Sequence, residues 1–391
     1  MATGSIEKYE GKKGHSWRLR VVTGYDERGY PVVRRHTLKG GTKREAEARL
    51  RELVNEVDKG LYIEPSLVTV REYIGQWFET HCQGLALSTV LRYRGHLDCH
   101  IIPHLGHVPL QKLTVLQVQS FANHLLKSGY QGKGSPRGLS PKSVKDAVGL
   151  LKLSLEQAIT WGLLTRNPAV GVKIPKVVHK EMQVITEAQA EMILSALEGT
   201  YVWLPTMIAY HTGMRRGEIL ALCWDCVDLE KATIKVSHSF SLQDKKGPLF
   251  KEPKTKAGRR TVEIGPTLVH VLQKHRKLQV EAKLAKGKKW KNKHNLVCTR
   301  DDGSYIPPKA LSEFFSYQAK QLGIDLTFHG LRHTHVSMLI KAGVPINVIS
   351  ARIGHSNPST THDVYSHLLP GMSREAVDRF EKLLQASLTL P

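Results

Sequence analysis

The segment His329-Gly-Leu-Arg332-His333-Thr-His335 begins a stretch with helical spacing, and its histidine precedes an arginine by three residues. At that spacing His329 and Arg332 share one face of a helix. The Arg332 guanidinium can clamp a phosphate, and His329 can carry a proton. The segment therefore predicts a helix whose first turn supports phosphate chemistry.

Metal binding is the alternative function of this segment, because His333 follows His329 by four residues. The Arg332 guanidinium between the two rings would oppose a dication, and the segment lacks the glutamate of an HExxH motif. We therefore predict no metal site. His333 and His335 are expected to pack beside the phosphate-binding residues or to support them.

A second phosphate ligand is predicted in Thr212-Gly-Met-Arg215-Arg-Gly-Glu218, where a glycine turn leads into a helix. The fork of Arg215 can reach a phosphate in two-point geometry. Glu218 lies one turn later on the same face, where its carboxylate can hold that guanidinium.

A general acid is predicted between two strands, in Lys254-Thr-Lys256-Ala-Gly258-Arg-Arg260. The composition favours a tight hairpin tip, which could deliver an ammonium group into a DNA groove. Lys254 is the candidate that protonates a leaving 5′ oxygen, and Lys256 is the alternative.

The candidate nucleophile is Tyr365, which follows the sequence Ile353-Gly-His355 and a turn at Asn357-Pro358. A tyrosine hydroxyl has a pKa near 10, so it needs a base or a strongly activated phosphate. Its spacing from His355, which can donate to a phosphate oxygen, distinguishes Tyr365 from the other tyrosines. The candidate catalytic residues are Arg215, Lys254, His329, Arg332, His355 and Tyr365.

The charge of the chain indicates a polyanionic partner. The 391 residues contain 57 Lys+Arg and 35 Asp+Glu, which gives a net charge of +22. Such an excess favours nucleic acid through phosphate neutralisation and counterion release. No apolar run reaches the roughly 18 residues of a membrane span, and the first residues contain no apolar signal core. We therefore expect a cytoplasmic, nucleoid-associated protein that does not bind membranes.

The five cysteines do not form the pattern of a disulfide framework. Cys223-Trp-Asp-Cys226 raises a redox or zinc function, but no second pair or histidine pair lies nearby. We expect reduced, packed thiols.

The fold class predicted from periodicity is α+β and multidomain. Residues 1–66 contain alternating strands at 17–23 and 32–38, a turn at 26–29, and a capping box at Thr42 that begins a helix. Residues 67–173 are predicted to be helical, and residues 181–391 mainly helical with a small antiparallel sheet. Candidate DNA contacts are Arg18, Arg20, Arg34 and Arg35 on the first sheet, and Arg92, Arg94, Lys142 and Lys145 in the helical domain.

Caps and periodicity also predict the bounds of individual helices and strands. Helices are predicted at 68–82, 88–99, 114–128, 140–161, 187–197, 201–212, 266–284, 309–322, 331–342, 345–353 and 374–385. Ser88 and Ser140 are the predicted N-caps of two of these helices. Strands are predicted at 233–240, 249–254 and 260–264.

Together the four motifs resemble those of the tyrosine recombinase (phage integrase) family. The matching sequences are Thr212-Gly-Met-Arg215, His329-Gly-Leu-Arg332-His333-Thr, Ile353-Gly-His355-Ser and Tyr365-Ser-His-Leu-Leu. Gly-Met-Arg and Ile-Gly-His differ slightly from the commoner Gly-Leu-Arg and Leu-Gly-His.

The resemblance implies a three-domain integrase. Residues 1–66 would be an arm-site domain of three strands and a helix, 67–173 a SAM-like core-site domain, and 181–391 the catalytic domain. It implies integration and excision of a prophage or conjugative transposon through a 3′-phosphotyrosine and a Holliday junction, with neither metal nor cofactor. The implied partners are duplex attachment sites (core and arm) and three further protomers in a homotetramer. The sequence leaves open whether an excision factor and a host DNA-bending protein are further partners.

Two alternative functions and one open structural question are compatible with the sequence. A type IB topoisomerase shares the clamp and the nucleophile, although residues 1–66 argue against it. An architectural DNA-binding protein would need an inactive site, although all six candidate residues are intact. The predicted helix at 374–385 could dock on its own domain or on a neighbouring protomer.

Overall fold

The computed structural model describes residues 3–11, 14–60, 62–130, 137–177, 183–243, 247–252, 258–354 and 377. The chain divides into two compact units, 1–179 and 180–391. Lys254, His355 and Tyr365 lie outside the described residues, as does all of the predicted helix at 374–385 except Val377. Among the helices in the described ranges, none has both the length and the apolar character needed to cross a bilayer.

The first unit begins with an antiparallel sheet in the order β1 (Gly4–Gly11), β2 (Gly14–Tyr25) and β3 (Pro31–Lys39). One face of β2 packs on helix α1 (Lys43–Asp58), and the predicted Thr42 capping box is confirmed. Strand β1 was not predicted individually, because Ile6 is its one residue in the buried cluster. Charged and small residues fill most of its other positions, so the strand shows weak hydrophobic alternation.

Helices form the rest of the first unit. They are α2 (Val70–His81), α3 (Leu87–His96), α4 (Ile102–Leu105), α5 (Val115–Ser128) and α6 (Pro141–Thr160). The predicted Ser140 cap is confirmed, since its side chain accepts a hydrogen bond from the Ser143 amide. The predicted Ser88 cap is wrong, because α3 begins at Leu87 after Ala86.

A π-helical turn (Leu97–Ile101) joins α3 to α4, so the chain stays helical well past the predicted end at 99. The Ile102 amide donates to Leu97 O, one residue farther back than in an α-helix. Pro103 follows immediately and has no amide hydrogen. The wider turn accommodates the missing donor without ending the helix.

The second unit contains α7 (Glu187–Leu197), α8 (Trp203–Thr212), α9 (Arg216–Leu220), α10 (Pro266–Lys286), α11 (Pro308–Gln321), α12 (Gly330–Lys341) and α13 (Ile346–Ile353). Its strands are β4 (Val227–Asp228), β5 (Thr233–Val236), β6 (Ser239–Gln243), β7 (Gly247–Lys251) and β8 (Arg260–Glu263). The predicted helices at 187–197, 201–212, 266–284, 309–322, 331–342 and 345–353 are all confirmed within a few residues.

The strands form two sheets, with order β4-β5-β8 and β6-β7. The single strand predicted at 233–240 is therefore two strands, β5 and β6. Strand β7 pairs with β6, and β8 pairs with β5. The hairpin predicted around Lys254 is wrong in this respect, because the strands on either side of Lys254 belong to different sheets.

Helix α8 is the central element of the second unit. Leu204, Met207 and Ile208 are buried in its hydrophobic core, and α12 packs against it. The C-terminal end of α8 at Thr212 leads directly into the glycine turn that carries Arg215. The core therefore fixes the position of the first candidate phosphate ligand.

Candidate functional site

The glycine turn after α8 has a defined geometry. The Thr212 hydroxyl donates to Ile208 O (2.5 Å) and accepts from the Met214 amide (3.2 Å). Gly213 has a φ of 63°, in the left-handed region that favours glycine. A Cβ atom there would lie 2.7 Å from Cδ2 of His335. The turn thus requires glycine for its backbone conformation and for its contact with α12.

Arg215 follows this turn as the N-cap residue of α9, and Glu218 holds it as the spacing predicts. The Arg215 amide donates to Glu218 Oε2 and its Nη1 donates to Oε1, both at 2.9 Å. The Arg215 side chain is 40% exposed, whereas Glu218 is 4% exposed. The guanidinium is therefore anchored from the protein side and still open to solvent.

Glu218 also binds a second arginine, which sequence analysis did not select. Arg260 Nη2 donates to Glu218 Oε2 at 2.9 Å, and its Nη1 lies 3.3 Å from Oε1. Burial of the carboxyl opposes ionisation, but the hydrogen bonds and charges of Arg260 and Arg215 outweigh it, so the pKa of Glu218 lies below its ordinary value. Glu218 is thus an ionised, buried carboxylate between two guanidinium groups.

Arg332 is nearly completely buried, at 3% exposure. Its Nη1 donates to Gly213 O and its Nη2 to Ile353 O, each at 2.7 Å. These bonds connect the glycine turn before Arg215 with the C-terminal end of α13, the helix that precedes His355. The structure therefore places Arg332 where it orients the segments that carry two other candidate residues.

Three arginines bind successive carbonyl groups at that end of α13. Arg260 Nε donates to Arg352 O (2.6 Å), Arg332 Nη2 to Ile353 O (2.7 Å), and Arg215 Nη2 to Gly354 O (2.9 Å). The last carbonyls of a helix lack intrahelical partners and carry partial negative charge. They therefore suit cationic donors, and the contacts fix the chain immediately before His355.

His329 lies at the N-cap position of α12, with its ring exposed. Partial desolvation lowers its pKa, and the positive charges of Arg332, Arg215 and Arg216 lower it further. The ring is therefore neutral near pH 7 and able to accept a proton. Arg216 adds a cation that sequence analysis did not select, and it donates to Pro308 O and to the Ser312 hydroxyl.

His333 and His335 pack against neighbouring side chains and backbone, which is one of the two roles predicted for them. The His333 ring meets the His329 ring edge-on, with centroids 5.0 Å apart. His335 is buried; its Nδ1 is 2.9 Å from Tyr210 O, and its Nε2 accepts from Arg352 Nε. Burial and the charge of Arg352 lower the pKa of His335 to about 4. His335 is therefore a neutral structural group.

Within the described ranges, no cluster of three His, Cys, Asp or Glu side chains could hold a metal ion. Cys223 and Cys226 are free thiols with their sulfur atoms 3.1 Å apart. Burial raises the pKa of Cys223 to about 11, with a further contribution from Cys226. A thiol with this pKa is protonated at neutral pH and a poor metal ligand or nucleophile.

The four arginines predicted on the first sheet do not share one face. In the sheet register Arg20 lies opposite Arg35, and Arg18 opposite Thr37, which places these three arginines on the face away from α1. Arg34 lies opposite the buried Val21, and it pairs with Glu64 at 3.0 Å. A single DNA-facing surface can therefore include Arg18, Arg20 and Arg35 but not Arg34.

The candidate contacts in the helical part of the first unit are solvent-exposed: Arg92, Arg94, Lys142 and Lys145. Arg94 lies over the Phe78 ring at 4.9 Å, and Arg92 lies near Tyr93. Stacking leaves the guanidinium edges available for phosphate oxygens. Exposure is compatible with DNA contact at these positions.

Comparison with known proteins identifies relatives along most of the chain. Residues 183–371 match the phage integrase family, and residues 69–126 match the N-terminal SAM-like domain of phage integrases. The chain is 30% identical to a XerC-like tyrosine recombinase of Caldanaerobacter subterraneus over 386 residues, covering 94% of this chain and 96% of the relative. It is 29% identical to the ICEBs1 integrase of Bacillus subtilis, over 74% of this chain and 76% of that protein.

Two solved structures share the fold. The Tn1549 transposon integrase, in complex with transposon right end DNA, aligns with a TM-score of 0.65 at 21% identity, covering 78% of this chain and 98% of that one. A lambda integrase tetramer bound to a Holliday junction aligns with a TM-score of 0.57 at 17% identity, covering 91% of this chain and 94% of that one. The α+β, multidomain class predicted from the sequence is confirmed.

Proposed function

The chain belongs to the phage integrase family of tyrosine recombinases, which cleave and rejoin DNA at specific sites, and we propose that it integrates and excises a mobile element. The observation that carries the proposal is that Arg215 and Arg332 bind the end of α13, immediately before His355, while their charges act on the His329 ring. Prophages and conjugative elements are the candidate owners, since the relatives include the ICEBs1 integrase and a prophage integrase.

The proposed reaction begins with attack of the Tyr365 hydroxyl oxygen on the scissile phosphorus. The phosphorus–O5′ bond breaks, the phosphate remains attached to the tyrosine as a 3′-phosphotyrosine, and the O5′ atom takes up a proton to leave as a hydroxyl. The 5′-hydroxyl of a partner strand then attacks the phosphotyrosine, the bond between phosphorus and the Tyr365 oxygen breaks, and that oxygen takes up a proton. One pair of such exchanges forms a Holliday junction and a second pair resolves it. Each step exchanges one phosphodiester for another, so the reaction requires no nucleotide hydrolysis, and the proposed arginine, histidine and lysine residues supply the charge stabilisation and proton transfer that a metal could otherwise provide.

Arg215 is the proposed solvent-facing phosphate clamp, because Glu218 and Gly354 O anchor its guanidinium while 40% of the side chain stays exposed. Preorganised donors stabilise charge that develops on the phosphoryl oxygens. Arg332 adds its charge beside the same phosphate and orients the backbone on both sides. His355 is the proposed donor to a non-bridging oxygen.

Two groups are proposed to move protons. His329 is neutral near pH 7 because of its lowered pKa, so it can take the proton from the Tyr365 hydroxyl. Lys254, or its neighbour Lys256, can protonate the leaving oxygen.

The proposed domains are 1–66 for arm sites, 67–173 for core sites and 181–391 for catalysis. Arg18, Arg20 and Arg35 would contact the arm DNA, and the exposed cations Arg92, Arg94, Lys142 and Lys145 the core DNA. We propose a homotetramer on a Holliday junction, as in the lambda integrase structure. An excision factor, a host DNA-bending protein and a cytoplasmic location on the nucleoid complete the proposal.

The test is formation of a covalent protein–DNA complex on nicked suicide duplexes in EDTA. The duplexes would carry the sequences that flank the encoding element, where an integrase gene is expected to lie beside its attachment site. Wild type, Tyr365→Phe and the exposed control Tyr317→Phe would be compared on a denaturing gel. We expect a DNA-linked band with wild type and Tyr317→Phe and none with Tyr365→Phe.

Other outcomes identify the alternatives. A band with Tyr365→Phe would assign the nucleophile to another residue. Tight binding without a band from wild type would favour an architectural DNA-binding protein. Relaxation of a supercoiled plasmid that lacks the attachment site would favour a type IB topoisomerase.

A further inference from the structure

Arg260, the first residue of β8, makes an unusually dense set of contacts for an arginine outside the candidate catalytic set. Its side chain is 7% exposed and donates in three directions. It binds both carboxylate oxygens of Glu218, the carbonyl of Arg352 (2.6 Å) and the carbonyl of Gly258 (3.3 Å). One guanidinium thus contacts two segments distant in sequence, at Glu218 and Arg352, and the backbone two residues before it.

Each contact leads to a part of the proposed active site. Glu218 holds the Arg215 guanidinium and its backbone amide. Arg352 lies in the last turn of α13, two residues before Gly354, whose carbonyl accepts from Arg215. Gly258 follows Lys254 by four residues in the sequence. Arg260 is therefore placed between the supports of several groups that must act on one phosphate.

We infer that Arg260 is a positioning residue of strand cleavage, which fixes Arg215 against the end of α13 by holding Glu218 and Arg352. The inference rests on the proposed function, because it assigns Arg260 a part in that reaction. Arg260 would act without touching the DNA, since its three partners enclose it. A displacement of about 1 Å in a clamping group can cost a reaction on the order of 100-fold in rate.

The chemistry of this position requires arginine. The planar fork supplies donors in fixed, divergent directions, whereas a lysine ammonium is a point charge on a flexible stem. Arg260 also neutralises Glu218 together with Arg215, which keeps the carboxylate ionised in a buried setting. We therefore expect Arg260→Lys to preserve the charge and lose part of the alignment.

Arg259 is a matched control, because it precedes Arg260 directly and differs from it in environment. Its side chain is 58% exposed and pairs with Glu252. Substitution there removes the same charge and volume from the residue immediately before the strand. It leaves the contacts to Glu218, Arg352 and Gly258 in place.

The experiment measures single-turnover cleavage by the full chain at saturating suicide duplex, alongside the DNA dissociation constant. We expect the first-order rate constant to fall about 10-fold for Arg260→Lys and on the order of 100-fold for Arg260→Met. Affinity for DNA should stay within about threefold, and Arg259→Met should cleave at nearly the wild-type rate. A lower rate constant at unchanged affinity and unchanged final yield is the signature of positioning.

A purely structural role for Arg260 would give a different result, because it would reduce the reacting fraction and leave the rate constant of that fraction unchanged. That result, or a wild-type rate constant for Arg260→Met, would overturn the inference. If Arg260→Met does not fold, Arg260→Lys decides the matter by the same criterion. If wild type itself gives no covalent product, the proposed function falls, and the inference with it.

A second comparison tests the route through Glu218. Because Arg260 is inferred to act partly by holding this carboxylate, the rate losses of Arg260→Met and Glu218→Gln should not multiply. We expect the double variant to cleave no more than about threefold more slowly than the slower single variant. Fully multiplicative losses would overturn the coupling.

Discussion

Replacement of Glu218 by glutamine should strongly destabilise the second unit. The carboxylate accepts from the Arg215 amide, the Arg215 guanidinium and the Arg260 guanidinium, and it is 4% exposed. Glutamine keeps the shape but turns an NH2 group toward donors and leaves two cations without their anion. Breaking a buried ion pair costs about 3–5 kcal/mol. Since Arg215 is partly solvated, we expect the lower end, about 3 kcal/mol.

Thermal unfolding of the full chain at pH 7 measures this effect. For a unit of this size, each kcal/mol shifts the Tm by roughly 2–4 °C, so the transition of the second unit should fall by roughly 6–12 °C. The pH matters because the folded-state pKa of Glu218 is depressed below 4.5. Its contribution is fully present above the unfolded value and is lost as the pH falls through the folded one. At pH 7 the whole contribution is measured.

Glu230→Gln is the control, since this exposed glutamate lies in the same unit. A surface change of this kind alters stability by less than about 0.5 kcal/mol. If Glu218→Gln shifts the Tm no more than Glu230→Gln does, the ion pairs do not stabilise the fold as reasoned. A double-mutant cycle with Arg260→Met should give a coupling of about 1–3 kcal/mol, and a coupling of zero would contradict the contact itself.

Three further predictions concern other parts of the chain. Gly213→Ala should lower the Tm of the second unit and slow cleavage, because the φ of 63° and the 2.7 Å approach to His335 both oppose a Cβ atom. Gly199→Ala is the control: its φ is 76° but no atom lies within 4 Å of an added Cβ, so its Tm change measures the cost of the dihedral angle alone. The rate of cleavage should stay constant as the pH falls from 8 to about 6.5 and decline only below it, since the pKa of His329 is lowered. The decline should disappear in His329→Gln, and an inflection of the rate above pH 6.5 would contradict the proton-accepting role. Arg20→Ala should weaken binding to arm-site DNA and reduce its salt dependence, whereas Arg34→Ala, on the other face of the sheet, should change it little. Both arginines pair with a glutamate, so the face alone distinguishes them, and equal effects would mean that the outer face is not the contact surface.

The sequence predicted elements well where the signals are local. Thr42 and Ser140 mark helix starts by capping bonds to residues three positions away, and both are present in the structure. Strand β1 is hard to predict because Ile6 is its one residue in the buried cluster. The division of β5 from β6 is hard to predict because these strands pair with different partners, β8 and β7, which lie later in the chain. Local signals determine where an element starts, but sheet pairing depends on contacts distant in sequence.

The same distinction applies to the candidate site. Arg215 and Glu218 are three residues apart, so helical spacing predicts their contact. Arg260 lies 42 residues from Glu218, and Gly354 lies 139 residues from Arg215. No periodicity connects such positions, and Arg260 resembles any arginine in a basic strand. Its role becomes visible only when burial and partners are known.

The shared use of α13 explains how the protein can hold several cations close together before DNA binds. Arg260, Arg332 and Arg215 each donate to one of three successive carbonyls at the C-terminal end of this helix, where the helix dipole is negative. The Glu218 carboxylate places a full negative charge beside two of these arginines, Arg215 and Arg260. The repulsion among the guanidiniums is therefore compensated by the fold, so these three arginines do not depend on DNA to hold them together. Because the donors are already oriented, a scissile phosphate would meet an arrangement that needs little reorganisation, and this is the condition under which electrostatic stabilisation accelerates a reaction most.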